Sequence, residues 1–129
     1  MEYLFLLGRI LLGGFFIMNG YKHFKHLAMM TGYAQSKGVQ MPREAIILTG
    51  LMLLLGGAGI LLGVYIELSV LILVLFLLST LIKIHNYWTM TDPMAKMAEN
   101  VQFHKNLALI GALLMLLFIP TPWAMSLMM

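Results

Sequence analysis

The sequence has no cysteine. Disulfides, thiol relays, iron–sulfur clusters and covalent c-type haem are therefore outside its chemistry. Charge is scarce too. Asp, Glu, Lys and Arg make up 10% of the 129 residues, against about 25% in ordinary water-soluble domains, too few to coat a globule in water. There is no Gly-rich phosphate loop, no H-E-x-x-H and no Ser-His-Asp pattern. The opening Met-Glu-Tyr lacks a basic n-region, and the first apolar run leads into Asn19-Gly20-Tyr21-Lys22-His23 rather than a small-residue cleavage site. The first apolar segment is therefore expected to remain in the mature protein.

Apolar residues are abundant, at 61% of the chain with a mean hydropathy of +0.93. A membrane-spanning helix needs roughly 20 mostly apolar residues at ~1.5 Å each. Four segments approach this, near residues 3–22, 45–64, 67–85 and 103–119. The spacing predicts an all-α fold, one integral membrane domain over 1–129 built as a four-helix bundle. Tyr65, Ile66 and Glu67 make a tight hairpin between the second and third spans, and Pro120 and Pro122 end the fourth, with Trp123 as an interface anchor. Asp92 and Pro93 read as the cap and first residue of a short helix. Met94, Met97, Ala98 and Val101 then recur on one face, which predicts a separate amphipathic helix lying in the interface before the fourth span.

Seven of the eight basic residues fall in the connections 20–44 and 83–106. An even number of spans puts both on one side, and the positive-inside rule makes that side cytoplasmic. A multi-pass chain of this kind is expected in a bacterial or archaeal cell membrane. The split basic residues read as membrane orientation, with no nucleic-acid partner. Gly59 and Gly63, and Ala108 and Ala112, are small pairs that let membrane helices approach, inside the bundle or between copies.

A charge within a span costs ~2.5–3.5 kcal/mol on insertion scales and tends to find a partner. Arg9, Gly13, Phe16, Gly20 and His23 fall along one stripe of the first span. Glu67, Leu71, Val74, Leu78 and His85 fall along one stripe of the third. Matching charges at one end and histidines at the other suggest that the stripes face each other, with Arg9 and Glu67 as a structural ion pair. The competing reading is that Arg9 snorkels to the interface.

The opposite ends gather Asn19, Lys22, His23, Lys83, His85, Asn86, Trp88, Asp92, His104, Lys105 and Asn106. Eight of these, Lys22, His23, His85, Asn86, Trp88, Asp92, Lys105 and Asn106, form the expected ligand-binding set. Their donors and aromatic rings suit a quinone head, a lipid headgroup or another anionic ligand. The competing reading is that they are ordinary juxtamembrane residues bound to water and phospholipid. Four histidines also raise a metal or a b-type haem. His23 and His26 are only three residues apart, however, and no ligand spacing is present, so neither is expected. The 13 methionines are scattered and read as gap-filling rather than copper(I) ligation.

Several of these residues fall in a familiar order. Arg9, Gly13, Gly20 and Lys22 mark the first span. Gly50, Gly56-Gly57 and Gly63 mark the second. His85-Asn86-Tyr87-Trp88 with Asp92 closes the third, and Phe103-His104-Lys105-Asn106-Leu107-Ala108-Leu109 with Gly111 opens the fourth. In these the chain resembles the DoxX family of small four-helix membrane proteins over nearly its whole length, and more distantly the surfeit-locus cargo receptors of the endoplasmic reticulum. The resemblance implies a four-helix membrane bundle and association with quinone-linked or redox enzymes. Many relatives carry an acidic residue in the second span just before the glycine pair, where this chain has Leu53. The expected function is an accessory or quinone-associated subunit, in contact with membrane lipids, a partner subunit or further copies of itself. The alternatives are a non-catalytic scaffold or cargo-binding module, or a small transporter. No residue is assigned a catalytic role.

Overall fold

The computed structural model describes residues 2–123, and every regular element among them is helical. Five α-helices follow in order: α1 Glu2–Lys25, α2 Leu27–Ser36, α3 Pro42–Leu62, α4 Ile66–Lys83 and α5 Pro93–Leu116, with a 3-10 turn at Tyr87–Thr89. Three stretches, Tyr3–Lys25, Pro42–Leu62 and Ile66–Thr89, are long and apolar enough to cross a membrane. The expected fourth span is the C-terminal part of α5, whose first half carries Lys96, Glu99, Asn100, Gln102, His104 and Lys105.

Two connections differ from expectation. Residues 20–44 are not an open loop, because α1 runs on to Lys25 and α2 follows it. Leu27, Met30 and Ala34 recur on one face of α2, and Ala34 is buried where α2 packs on α3. The amphipathic segment from Pro93 is not a separate helix but the first half of α5. No glycine or proline separates Pro93 from Gly111, so nothing breaks the backbone ladder. The start is as expected, with the Asp92 carboxylate accepting from the Ala95 N–H at 3.0 Å.

The closest packing joins α1 to α3. A Cβ on Gly13 would lie 2.8 Å from the Gly57 carbonyl oxygen, and one on Gly57 would lie 2.8 Å from that of Gly13. Nearer the other end, a Cβ on Gly20 would meet the Gly50 carbonyl at 2.9 Å. Removing side chains lets two membrane helices reach backbone contact. The α3–α4 turn is Gly63–Val64–Tyr65. Gly63 is left-handed at φ 72° and its N–H reaches the Gly59 carbonyl at 2.9 Å, closing α3. Of the small pairs, Gly59 faces Ser69 of α4, whereas Ala108 and Ala112 are exposed.

All five residues of the expected α1 stripe, from Arg9 to His23, are buried. The α4 stripe is displaced around the helix. Its buried residues are Ile66, Ser69, Val70, Leu73, Leu77 and Leu81, while Glu67, Leu71 and Leu78 are exposed. The structure therefore does not bring Glu67 to Arg9. The Arg9 guanidinium donates instead to the carbonyls of Leu61, at 2.9 Å, and Ile60, at 3.4 Å. These carbonyls lie in the last turn of α3, where no backbone N–H completes the helix. Arg9 thus caps the negative end of α3, with the Phe5 and Trp123 rings each 5.6 Å from its guanidinium carbon. Trp123, expected at the interface, is buried edge-on to Phe5. Glu67 sits in the first turn of α4, where a carboxylate complements the positive helix end.

Gly57→Val should destabilise the protein by ~1–3 kcal/mol, the usual cost of overpacking, in unfolding by sodium dodecyl sulfate from mild-detergent micelles. Gly14→Ala, with open space around the added carbon, should be neutral or slightly stabilising. Equal losses in both would remove the close-approach account. A double-mutant cycle of Arg9→Met and Glu67→Gln should be additive within ~0.5 kcal/mol, and a larger coupling would restore the ion pair.

Candidate functional site

Because α1 runs down, α3 back, α4 down and α5 back, the end of α1, the start of α3, the end of α4 and the start of α5 share one end of the molecule, with α2 across it. There they enclose a chamber of about 610 Å³. Its walls are mostly apolar, with Phe15 and Phe16 from α1, Leu53 from α3 and Phe76 and Leu77 from α4. Met29, Met30 and Tyr33 of α2 form the roof. The volume falls within the range of small-molecule sites, ~300–1,000 Å³, and an apolar wall with few polar groups is their usual composition.

Many of the polar groups here are already engaged. The Thr49 hydroxyl donates to the Ala45 carbonyl at 2.8 Å, that of Ser79 to Phe76 at 2.8 Å and that of Thr80 to Leu77 at 2.9 Å. The His23 ring places Nδ1 2.8 Å from the Asn19 carbonyl. A carbonyl can only accept, so Nδ1 carries the hydrogen and the neutral ring keeps its lone pair on Nε2. Asn106 differs. Its residue is 7% exposed, it lines the chamber, and its amide has no hydrogen-bond partner among the described residues. Its amide atoms are not among the fully buried unpaired ones, so the amide is open to the chamber and can take a partner from it. Lys105 stands at the rim, exposed, its ammonium 5.4 Å from the Phe15 ring centre.

Of the eight expected residues, His23, His85, Lys105 and Asn106 line this chamber. The other four do not. Lys22 is exposed and does not line the chamber. Asn86 accepts from the Lys37 ammonium at 3.1 Å. Trp88 is 54% exposed and packs edge-on to Tyr87 and Phe103 at 5.5 and 5.6 Å, outside the chamber. Asp92 is committed to capping α5. Among the described residues, no three His, Cys, Asp or Glu side chains gather as a metal site.

Sequence reasoning did not find the device that holds the roof. Glu99, on the first half of α5, receives the Tyr33 hydroxyl at 2.7 Å on Oε1 and faces His85 Nδ1 at 2.5 Å on Oε2. One carboxylate thereby ties α2, the end of α4 and α5. Burial alone raises its pKa, but the hydrogen bonds from His85 and Tyr33 and the charges of His85 and Lys37 outweigh this and hold it below the usual range. Burial, the bond to Glu99 and that carboxylate's charge push the Tyr33 phenol up to about 12, so it stays a donor at neutral pH. The available signal was spacing. His85 leaves α4 two residues after its end, and Glu99 falls on the face of α5 opposite Met94, Met97 and Ala98.

The DoxX family model matches residues 4–86. That is more than half of the chain and spans α1 to the end of α4. The chain belongs to the DoxX family. The match stops before α5, so the Phe103–Gly111 motif lies outside it, although the sequence resemblance extended that far. Neither the curated proteins nor the solved structures hold a match to the chain. Membership accounts for the membrane-protein composition and leaves the chamber to be read from its own residues.

A depressed carboxylate pKa stabilises the clasp above the unfolded value, near 4.3, and that contribution is lost as pH falls through the still lower folded value. Protection of the residue 27–36 amides, taken relative to their intrinsic exchange rate at each pH, should therefore be high at pH 7 and fall on acidification below ~4. Glu99→Gln should show low protection already at pH 7, with little further change in acid. A variant that kept wild-type protection at pH 7 would show that the carboxylate does not hold α2.

Proposed function

We propose that this DoxX-family membrane protein holds the head of a membrane-dissolved amphipathic ligand in the chamber, a quinone or a similarly flat, uncharged ring. Asn106 carries the reading. Its amide offers two donors and an acceptor, it lines the chamber, and it has no partner among the described residues. His23 Nε2 supplies a second polar contact from α1. Phe15 and Phe76 offer aromatic faces to a ring. In this reading the apolar part of α5, from about Phe103, is a fourth crossing that completes a four-helix bundle, and the basic end with the chamber faces the cytoplasm. In this reading the protein presents the ligand to a redox partner as an accessory subunit.

A second reading draws on the exposed Ala108, Gly111 and Ala112 of α5. Small residues on a membrane-facing helix suit a docked partner helix, which is the scaffold function.

The test is retention of co-purified small molecules, extracted and quantified by mass spectrometry from protein purified in mild detergent. Asn106→Leu, close in volume, should lower retention about 2–10-fold, the equivalent of one hydrogen bond of ~0.5–1.5 kcal/mol. Trp88→Ala, outside the chamber, should leave it unchanged. Normal helicity with unchanged retention in Asn106→Leu would reject the ligand and favour the scaffold.

A further inference from the structure

Helix α5 packs on α4 and makes no backbone contact with α1 among the described residues. The seam between α1 and α5, the α1–α5 cleft, holds two separate cavities. The chamber opens on its upper part, walled by Phe15, Phe16 and Asn19 on one side and Lys105 and Asn106 on the other. A second cavity of about 310 Å³ lies on its lower part, walled by Phe5, Gly8 and Leu12 of α1 and by Ala112, Met115 and Leu116 of α5. Lys105, Ala108, Ala112 and Met115 recur at i, i+3, i+7 and i+10, so helical register places them on one face. That face bears a cation at the chamber rim and small or flexible apolar residues below it.

From these observations we infer that the α1–α5 cleft is the seat of the ligand's hydrocarbon chain, and that the ligand enters the chamber sideways from the bilayer through it. The inference rests on the proposed ligand-binding function and adds that the ligand has one long apolar chain. Three features fit that occupant. The two cavities share the same two walls. The drop from Asn106 to Leu116 is ~15 Å at ~1.5 Å per residue, the reach of a chain rather than of a compact second molecule. The lower cavity is apolar except for Arg9, whose guanidinium is turned to the α3 carbonyls. The chain gains little by moving from lipid to the cleft, since both are equally apolar. The cleft instead lets the chain stay at membrane depth while the head reaches Asn106, so obstruction should act only on ligands that carry a long chain.

The probes are two benzoquinones with one ring, bearing either a single isoprene unit or several. Binding is measured to protein in phospholipid nanodiscs. Wild type should bind both with similar affinity. Ala112→Phe should weaken the long-chain quinone at least about tenfold and leave the short one unchanged. An equal effect on both, or no effect on the long one, overturns the cleft while leaving the chamber. Binding of neither quinone by wild type removes the chamber reading itself. A long-chain quinone with a diazirine at the chain end gives a measurement without a variant. Labelling of Leu12, Met115 or Leu116 supports the path, and labelling confined to α2 or α3 overturns it. Native mass spectrometry covers the competing occupant, because a dimer that Ala112→Phe dissociates would assign the cleft to a second copy and overturn the inference.

Discussion

Gly13 and Gly57 approach until a methyl carbon on either would lie 2.8 Å from the other's carbonyl oxygen, and this contact fixes the depth of α1 against α3. With that register set, Arg9, one helical turn before Gly13, arrives at the last turn of α3, one turn beyond Gly57. There the carbonyls of Ile60 and Leu61 need donors. Gly20 and Gly50 repeat the approach at the other end and bring His23 over the chamber. The same commitment of α1 to α3 leaves its other face without α5. The two cavities between α1 and α5 lie along the face that this packing leaves.

How much of this was legible depends on how uneven each helix is. On α1, glycines and an arginine break the run of large apolar residues, and the stripe they mark is buried from Arg9 to His23. Helix α4 is apolar all round, so periodicity carried no direction. The charge of Glu67 does not mark the inner face, because a carboxylate in a first turn needs no partner beyond the helix end. The buried face lies one residue round, through Ile66, Leu73 and Leu77. Helix boundaries read well where side chains signal them, as at Asp92, and poorly where nothing stops the helix, as between Pro93 and Leu116.

The candidate site was legible as a neighbourhood and not as a list. Polar residues near helix ends share a depth, which the sequence shows, but which of them turn inward depends on helix rotation and on local partners. The Asn86 side-chain carbonyl accepts from Lys37 and the Asp92 carboxylate caps the α5 N-terminus, and neither residue lines the chamber. Glu99 lies opposite the apolar Met94, Met97 and Ala98 face, where a surface helix would point to water. It becomes the tie between three helices only because α5 is continuous and α2 folds back within reach of it. That contact joins segments 66 residues apart in sequence, which no local pattern encodes.

The placement of charge also bears on what the chamber can hold. An anionic head drawn inside would lose hydration worth several kcal/mol. The cations that could compensate it, Lys83 and Lys105, are exposed at the rim. Ion pairs in so wet a setting contribute ~0–1 kcal/mol, which does not offset that loss. A carbonyl on a neutral ring makes a smaller demand, because it loses fewer water contacts and recovers one hydrogen bond from the Asn106 amide. In the proposed reading the lysines stay at the rim and the interior is left to a neutral head. On this balance Asn106 favours an uncharged amphiphile over a lipid phosphate, and the aromatic walls of Phe15 and Phe76 favour a flat one.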